Sequence, residues 1–377
     1  MDQIASRSPR RADTAGSEPI RVLIVIAGGL RDPGGVTRCM EYLIDSWSRL
    51  PDRPEHRVVD SRGAGGILLS PLYFLRALLV VGGEALRRRR MIVHANMCEY
   101  GSTLRKLPIV CLARALGAPA VIHLHGAEMK AMFDRMPAWR RRLFRLGVSQ
   151  ANRIVVLGAN WEEFLCRDVG ISRERVIRIS NAVPVPAVTG TGRTDGRCRL
   201  LFLGRLEERK GADRFLEALA SPELADLEYE AVMTGDGRVE LYRDMAGTLG
   251  LAGRVRFTGW LDRPAVGRLM QGSDVLVLPS LNEGLPMAIL EGMAHGLAVV
   301  TTPVGAISDV VRDGQTGLLV PPGNAPALAS ALRRVITDAE LRLRLGAAAR
   351  APALEEFDVA DYGARFTRLY GELLAGR

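Results

Sequence analysis

The sequence predicts an α/β protein made of two doubly wound parallel-sheet units in tandem, facing each other across a central cleft. Three observations carry this expectation. Short apolar runs alternate with helix-length segments along most of the chain, the pattern of parallel strands joined by right-handed crossovers. The stretch 181–196, NAVPVPAVTGTGRTDG, interrupts that alternation with Pro, Gly and Thr, and the same rhythm restarts behind it. The length of 377 residues exceeds one ordinary core, and fits two of about 150–200 residues each. The expected division is an extension over 1–19, a first domain over 20–183, a linker over 184–196 and a second domain over 197–358.

Each element follows from local pattern. In the first half the apolar runs 22–26, 56–60, 92–95, 120–124, 154–157 and 176–179 read as strands. Helices are expected at 34–50, opened by Gly34-Gly35, and at 101–116, 137–150 and 160–169. The segment 67–81, ILLSPLYFLRALLVV, is apolar on nearly all sides and leads to Arg87–Arg90. Two readings stand: a core helix with a solvated basic end, or a helix lying in a bilayer interface with its arginines on anionic head groups. In the second half strands are read at 200–203, 228–233, 255–258, 274–278, 297–300 and 317–320. Helices are read at 212–219, 238–249, 262–271, 325–337, 340–351 and 359–374. Between the strands 274–278 and 297–300 a further helix is expected, with Pro286 in its first turn and Gly296 just past its end.

Composition narrows the class. Hydrophobic residues make up 47% and charged residues 25%, which describes a globular chain and excludes bulk disorder. The net charge of +9 is uneven: residues 1–190 carry +12 and the remainder −3. Aromatic residues are only 5% and no nucleic-acid motif is present, so nucleic acid is not an expected partner. An anionic membrane surface or acidic small substrates suit the basic half better. The five cysteines are scattered without a C-x-x-C and read as reduced core thiols. The polar, Arg-containing stretch 1–19 reads as disordered, the apolar run behind it is too short for a secretory signal, and no span is long enough to cross a bilayer. The expected location is cytoplasmic, peripheral on the inner face of the plasma membrane where the basic domain meets lipid.

The chemistry is expected at strand carboxyl ends. The loop 280–285 ends at a helix N-terminus, where unpaired backbone N–H groups favour a phosphate. Glu283 lies in that loop, and Glu291 lies five residues beyond Pro286, about 7.5 Å along the axis. One carboxylate would meet the hydroxyls of a sugar and the other the diol of a ribose; the plainer alternative is a capping glutamate and a surface glutamate. Gly34-Gly35 after the first strand lets the backbone approach a ligand. His123 and His125 share one strand face, and His125 stands nearer the rim. In GRLEERKG, Arg205 and Lys210 are five residues apart on one loop and suit a diphosphate, Arg as a fork and Lys as a point charge, unless both pair with Glu207 and Glu208.

GRLEERKG, TGDG, FTGW and PSLNEGLPMAILEGMAHGLAVVTTPVGAISDVVRDGQTGLLVPPGN together resemble the donor-binding half of the retaining glycosyltransferases of family 4. GGV at Gly34, HG at His125 and SNAV at Ser180 fit more loosely. The resemblance implies the GT-B fold, two tandem Rossmann-like domains, with the final helix over 359–377 returning to the first domain. It implies that Glu291 bonds the ribose of a nucleotide diphosphate sugar and that Glu283 contacts the donor sugar. Arg205 and Lys210 would hold the diphosphate, assisted by the loop at Gly284 and the backbone N–H groups of Leu285, Met287 and Ala288. Gly35 would approach the phosphate from the other domain, and His125 would contact the donor sugar or the acceptor. The base would be held by backbone near Gly235 and Arg256. No cofactor and no metal are implied, and the chain has no D-x-D signature. Two positions depart from the family pattern: Pro286 cannot donate an N–H, and Ala182 stands where Gly is frequent.

The function so implied is transfer of a hexose, with retention, to a lipid-linked or polysaccharide acceptor in cell-surface or exopolysaccharide synthesis. A sugar-nucleotide epimerase of the same fold and a basic, non-catalytic membrane- or nucleic-acid-binding protein are the competing readings. The base, sugar, acceptor and linkage are not encoded in these motifs.

Overall fold

A computed structural model describes residues 19–31, 34–63, 67–187 and 197–376. The extension expected over 1–19 lies outside the described residues except for Pro19, as does most of the expected linker, residues 188–196.

In chain order the first unit contains β1 (Arg21–Ile26), α1 (Gly35–Trp47), β2 (Glu55–Asp60), α2 (Ser70–Arg87), β3 (Met91–Met97), α3 (Gly101–Ala115), β4 (Ala120–Leu124), α4 (Met129–Asp134), α5 (Ala138–Val148), β5 (Arg153–Val156), α6 (Ala159–Glu163) and β6 (Val176–Arg178). Its six strands are parallel in the order β2-β1-β3-β4-β5-β6. β1, β3 and β4 are buried along nearly their whole length, as parallel strands covered on both faces must be. The chain winds outward in both directions from β1 and β3, and this reversal opens a crevice at their carboxyl ends.

The second unit repeats the plan with β7 (Cys198–Leu203), α7 (Ala212–Leu219), β8 (Tyr229–Thr234), α8 (Val239–Thr248), β9 (Val255–Gly259), α9 (Arg263–Gln271), β10 (Val275–Leu278), α10 (Met287–Ala294), β11 (Ala298–Thr301), α11 (Ile307–Val310), β12 (Leu318–Leu319), α12 (Ala325–Thr337) and α13 (Ala339–Glu355). The parallel order is β12-β11-β10-β7-β8-β9. Its reversal falls between β7 and β10, the two strands that release the loops 204–211 and 279–286.

The last helix, α14 (Val359–Ala375), leaves the second unit and lies on α1 of the first. Val183 and Val359 exchange backbone hydrogen bonds with this crossing segment, Val183 N donating to Phe357 O and Val359 N to Val183 O. Trp47 Nε1 donates to Gly363 O at 3.1 Å, and Gly363 N donates to Ser46 Oγ at 2.9 Å. A Cβ at Gly363 would stand 2.7 Å from Ser46 Oγ and 2.8 Å from Trp47 Cδ1, so only glycine lets the helices come this close.

Several local expectations are corrected. The helix expected over 160–169 is α6 followed by a π-turn, Phe164–Val169, which ends on left-handed Gly170. Pro286 is the extended cap before α10, because its φ of −70° and ψ of 129° leave it outside the helix. The expected strand 317–320 shrinks to the two residues of β12, and α4 and α11 are too short to show a helical period in the sequence. The segment 67–81 is a core helix on one side only: α2 buries Ala77 and Val81, packs Phe74, Leu78, Val80 and Ala85 against the core, and turns Leu72, Leu75 and Leu79 outward. Among the described residues no helix is long and apolar enough to cross a membrane.

Candidate functional site between the two sheets

The carboxyl ends of the two sheets face each other, and side chains from both meet there. α10 explains why. Seven of its eight residues are buried, so a helix apolar all round sits between β10, α13 and α1. Glu291 is one of the seven, and a buried carboxylate needs partners. It finds them on the first unit: Arg38 Nη1 lies 3.2 and 3.3 Å from its two oxygens, and Tyr42 O–H donates to Oε1 at 3.0 Å. Burial, and then the neighbouring Glu291 carboxylate, push the Tyr42 pKa well up, so the phenol stays a donor. Arg263 adds a second tie between the units, over the Tyr42 ring at 4.3 Å and within 3.7 Å of Glu41 and 3.6 Å of Asp45.

The loop before α10 carries the other acid. Glu283 Oε1 accepts from Lys210 Nζ at 2.5 Å and from Ser280 Oγ at 2.8 Å, while Arg209 Nη1 stands 3.8 Å from its other oxygen. Arg209 also donates to Asn282 O at 3.0 Å and to Glu207, bracing the two switch-point loops against each other. Gly284 reaches the first unit. A Cβ there would lie 2.9 Å from the carbonyl oxygen of His125, which admits no side chain without displacing that backbone. Asn181 Nδ2 donates to Leu285 O at 2.9 Å from the first unit, and Gly35 at the start of α1 comes within 3.8 Å of Met287 Cγ, measured from its would-be Cβ. Met287 and Ala288, the first two residues of α10, have backbone N–H groups with no partner within the helix.

His125 follows β4. Its Nε2 lies 2.8 Å from Asn96 Oδ1, and its backbone N–H extends the sheet by donating to Met97 O. Burial against surrounding protein takes its pKa down to about 3, although part of the residue stays open to the cleft, so the ring is a neutral imidazole at physiological pH. His123 is fully buried beneath it and does not reach the rim.

The structure thus brings Gly35, His125, Lys210, Glu283, Gly284, Leu285, Met287, Ala288 and Glu291 to one place. Arg205 is at the edge of the group, its side chain 59% exposed and paired with Glu207 and Asp236, the latter at 3.4 Å. Gly235 follows β8 beside it and would collide with Gly204 O if it carried a Cβ. Arg256 is elsewhere. It is the second residue of the edge strand β9 and lines a recess of about 530 Å³ with Glu230, Arg243 and Gly253, toward the start of the strands. Sequence reasoning missed Arg38, Tyr42, Arg209 and Asn96. Arg38 and Tyr42 have the i, i+4 spacing of one helix face, but their target is 253 and 249 residues away. Among the described residues no group of three or more His, Cys, Asp or Glu is placed to hold a metal.

Comparison with known proteins bears on the family and the fold. The family described as glycosyl transferases group 1 matches residues 197–338, the second unit. The 2-deoxystreptamine N-acetyl-D-glucosaminyltransferase of Streptomyces fradiae is 31% identical over 342 residues, 83% of this chain and 79% of that protein. The phosphatidyl-myo-inositol mannosyltransferase of Mycobacterium leprae is 34% identical over 200 residues, 52% of this chain and 53% of its own, so the match spans about half of each. Among solved structures, Anabaena HepE in complex with UDP-glucose superposes with a TM-score of 0.72 at 20% identity, covering 95% of this chain and 100% of that one. The two facing six-stranded sheets are the GT-B fold, and the chain belongs to the glycosyl transferases group 1.

Proposed function

We propose that the protein is a retaining, metal-independent hexosyltransferase that moves a hexose from a nucleotide diphosphate sugar to a lipid-linked or saccharide acceptor. The observation that carries this reading is the convergence of Lys210, Glu283, the N-terminus of α10 and Glu291 opposite Gly35 and His125. A diphosphate between Gly35 and α10 would meet the helix pole, Lys210 and Arg205, which supply positive charge where the leaving group gains negative charge. Glu291 would then accept from the ribose diol and Glu283 from the donor sugar. In the reaction the bond from the anomeric carbon to the phosphate oxygen breaks, and the acceptor oxygen bonds to that carbon from the same face. The departing phosphate oxygen takes the acceptor proton.

Two findings support the finer points. The Anabaena neighbour is a complex with UDP-glucose, which suits a hexose donor, and the mycobacterial relative is named for phosphatidyl-myo-inositol, a lipid, which suits a lipid-linked acceptor. The outward leucines of α2, with Arg87 and Arg89 beside them, and exposed Trp139, Leu143 and Leu146 with Arg140 and Arg142 on α5 suit an anionic membrane surface from which a lipid-linked acceptor would be drawn.

The test is nucleoside diphosphate release and labelled-sugar transfer with a panel of sugar nucleotides, for the wild type and Glu291→Ala. Transfer that is lost in the variant supports the reading; full activity in Glu291→Ala overturns the assigned role. A new sugar nucleotide formed with no acceptor present would point to epimerisation.

A further inference from the structure

Beneath His125 lies a row of buried ring side chains that the transfer scheme does not use. Tyr370 of α14 places its hydroxyl 2.6 Å from His94 Nδ1, and His94 Nε2 lies 3.1 Å from His123 Nδ1. The His123 ring then packs on that of His125, with centroids 4.0 Å apart and planes inclined by 39°. The sheet explains the alignment. β3 and β4 run parallel with Asn96 opposite His123, and alternation puts His94 and Asn96 on the same face as His123, under α14. Phe366 of α14 closes the row, stacked on His94 at 5.2 Å and against His123 at 5.5 Å. His94, His123 and Tyr370 are all fully buried.

Every member is neutral. Burial, with His125 nearby, takes His94 down to about 3 and His123 well below its ordinary value, and burial holds the Tyr370 phenol well above its own. A neutral imidazole has one donor nitrogen and one acceptor nitrogen, so each hydrogen bond dictates the next. If the Tyr370 hydroxyl donates to His94 Nδ1, the His94 proton sits on Nε2 and is donated to His123 Nδ1. The His123 proton is thereby placed on Nε2, a buried nitrogen with no hydrogen-bond partner among the described residues, so His123 acts on His125 through ring packing alone. Packing alone does not call for such a row, because apolar rings would fill the space beside Phe366 without leaving polar nitrogens to be satisfied.

We propose that Tyr370 and His94 are positioning residues for His125: through the ring plane of His123, packed on that of His125, they act beside the Asn96 hydrogen bond at His125 Nε2 to fix the imidazole that the first unit turns toward the cleft. The returning helix α14 is then part of the active-site frame as well as a cover for α1. This inference rests on the reading of His125 as a group that touches the donor sugar or acceptor.

The test uses the full chain, labelled with ¹⁵N in its five histidines, and long-range ¹H–¹⁵N correlation to read each imidazole's tautomer. Variants are Tyr370→Phe, which keeps the ring and removes the hydroxyl, and Phe366→Leu, which loosens packing and leaves the hydrogen bonds. The expected wild-type result is a proton on Nε2 in both His94 and His123. Tyr370→Phe should mix the tautomers of both and move the His125 nitrogen resonances, while Phe366→Leu should keep the tautomers. If His125 is unmoved when His94 and His123 change, or if Phe366→Leu has the same effect as Tyr370→Phe, the proposal is overturned. Turnover of the donor found in the sugar-nucleotide panel gives a second reading: kcat about tenfold lower in Tyr370→Phe with donor KM little changed. Full turnover in His125→Ala would instead remove the role given to His125, while the tautomer coupling would stand or fall on the spectra alone.

Discussion

Arg38 of α1 sets one guanidinium nitrogen 3.2 and 3.3 Å from the two carboxylate oxygens of Glu291 on α10, joining the two sheets' helices across the cleft. The acid proposed to bind a ribose is therefore held by the opposite domain, and under that proposal donor recognition and the contact between the domains would share one pair of side chains.

That pair should be measurable as a coupling. The Glu291 side chain is only 8% exposed and that of Arg38 22%, so removing the arginine leaves a largely buried carboxylate with Tyr42 alone. A double-mutant cycle of Arg38→Ala and Glu291→Ala in urea unfolding should give an interaction energy of about 1–3 kcal/mol. Additive effects within the error of the cycle would show that the contact contributes nothing.

Lys210 and Arg205 should differ in their effect on nucleotide affinity. Lys210 is 16% exposed and lies in the enclosed part of the cleft, whereas Arg205 is 59% exposed at its edge. Calorimetric titration with UDP and GDP should show Lys210→Met weakening the tighter ligand by about ten- to a hundredfold, and Arg205→Met by less than about tenfold with a steeper response to salt. An equal loss in both, with equal salt dependence, would contradict the placement.

A buried amine predicts how stability responds to pH. Lys106 on α3 is fully buried, donates to Ser61 Oγ at 2.6 Å, and has its pKa lowered to about 7, first by burial and then by Arg105. The unfolded lysine titrates near 10.4, so between these values the folded chain binds fewer protons and stability rises with pH. The penalty is fully present below the folded value and gone above the unfolded one. Lys106→Met should therefore be more stable than wild type by roughly 2–4 kcal/mol at pH 6, with the gap closing toward pH 10. A gap that does not change with pH would show that this amine is not the titrating group.

The outward face of α2 and α5 predicts membrane association. Cosedimentation with phosphatidylglycerol vesicles should fall when Arg87, Arg88, Arg89 and Arg90 are replaced by Gln, and fall further with Leu72→Ser and Leu79→Ser. Unchanged cosedimentation in both would remove the membrane proposal.

How much of this was legible in the chain depends on how far apart the cooperating residues lie. Strands such as β1 and β10 are continuous apolar runs, and the limits of α10 follow from Pro286 and Gly296, so local pattern suffices for them. Lys210 and Glu283 are each expected at the site, one for a diphosphate and the other for a sugar, but their ion pair across 73 residues is not signalled, since the near carboxylates of Glu207 and Glu208 are the partners the local sequence offers Lys210. Arg38 and Tyr42 are not expected there at all, because nothing on α1 signals a partner in another domain. The row from Tyr370 to His125 was hidden for the same reason: it exists only because β3, β4 and α14 are brought together by the crossing of the last helix. The outward side of α2 was ambiguous because a helix apolar on most faces reads alike whether it is covered by protein or by lipid.

A crystal structure of the chain with UDP or GDP, whichever binds more tightly, tests the central claim most directly. The account predicts the diphosphate between Gly35 and the first turn of α10, within hydrogen-bond reach of Lys210, with the ribose hydroxyls on Glu291. A nucleotide found in the recess beside Arg256, or anywhere out of contact with Lys210 and Glu291, would contradict it.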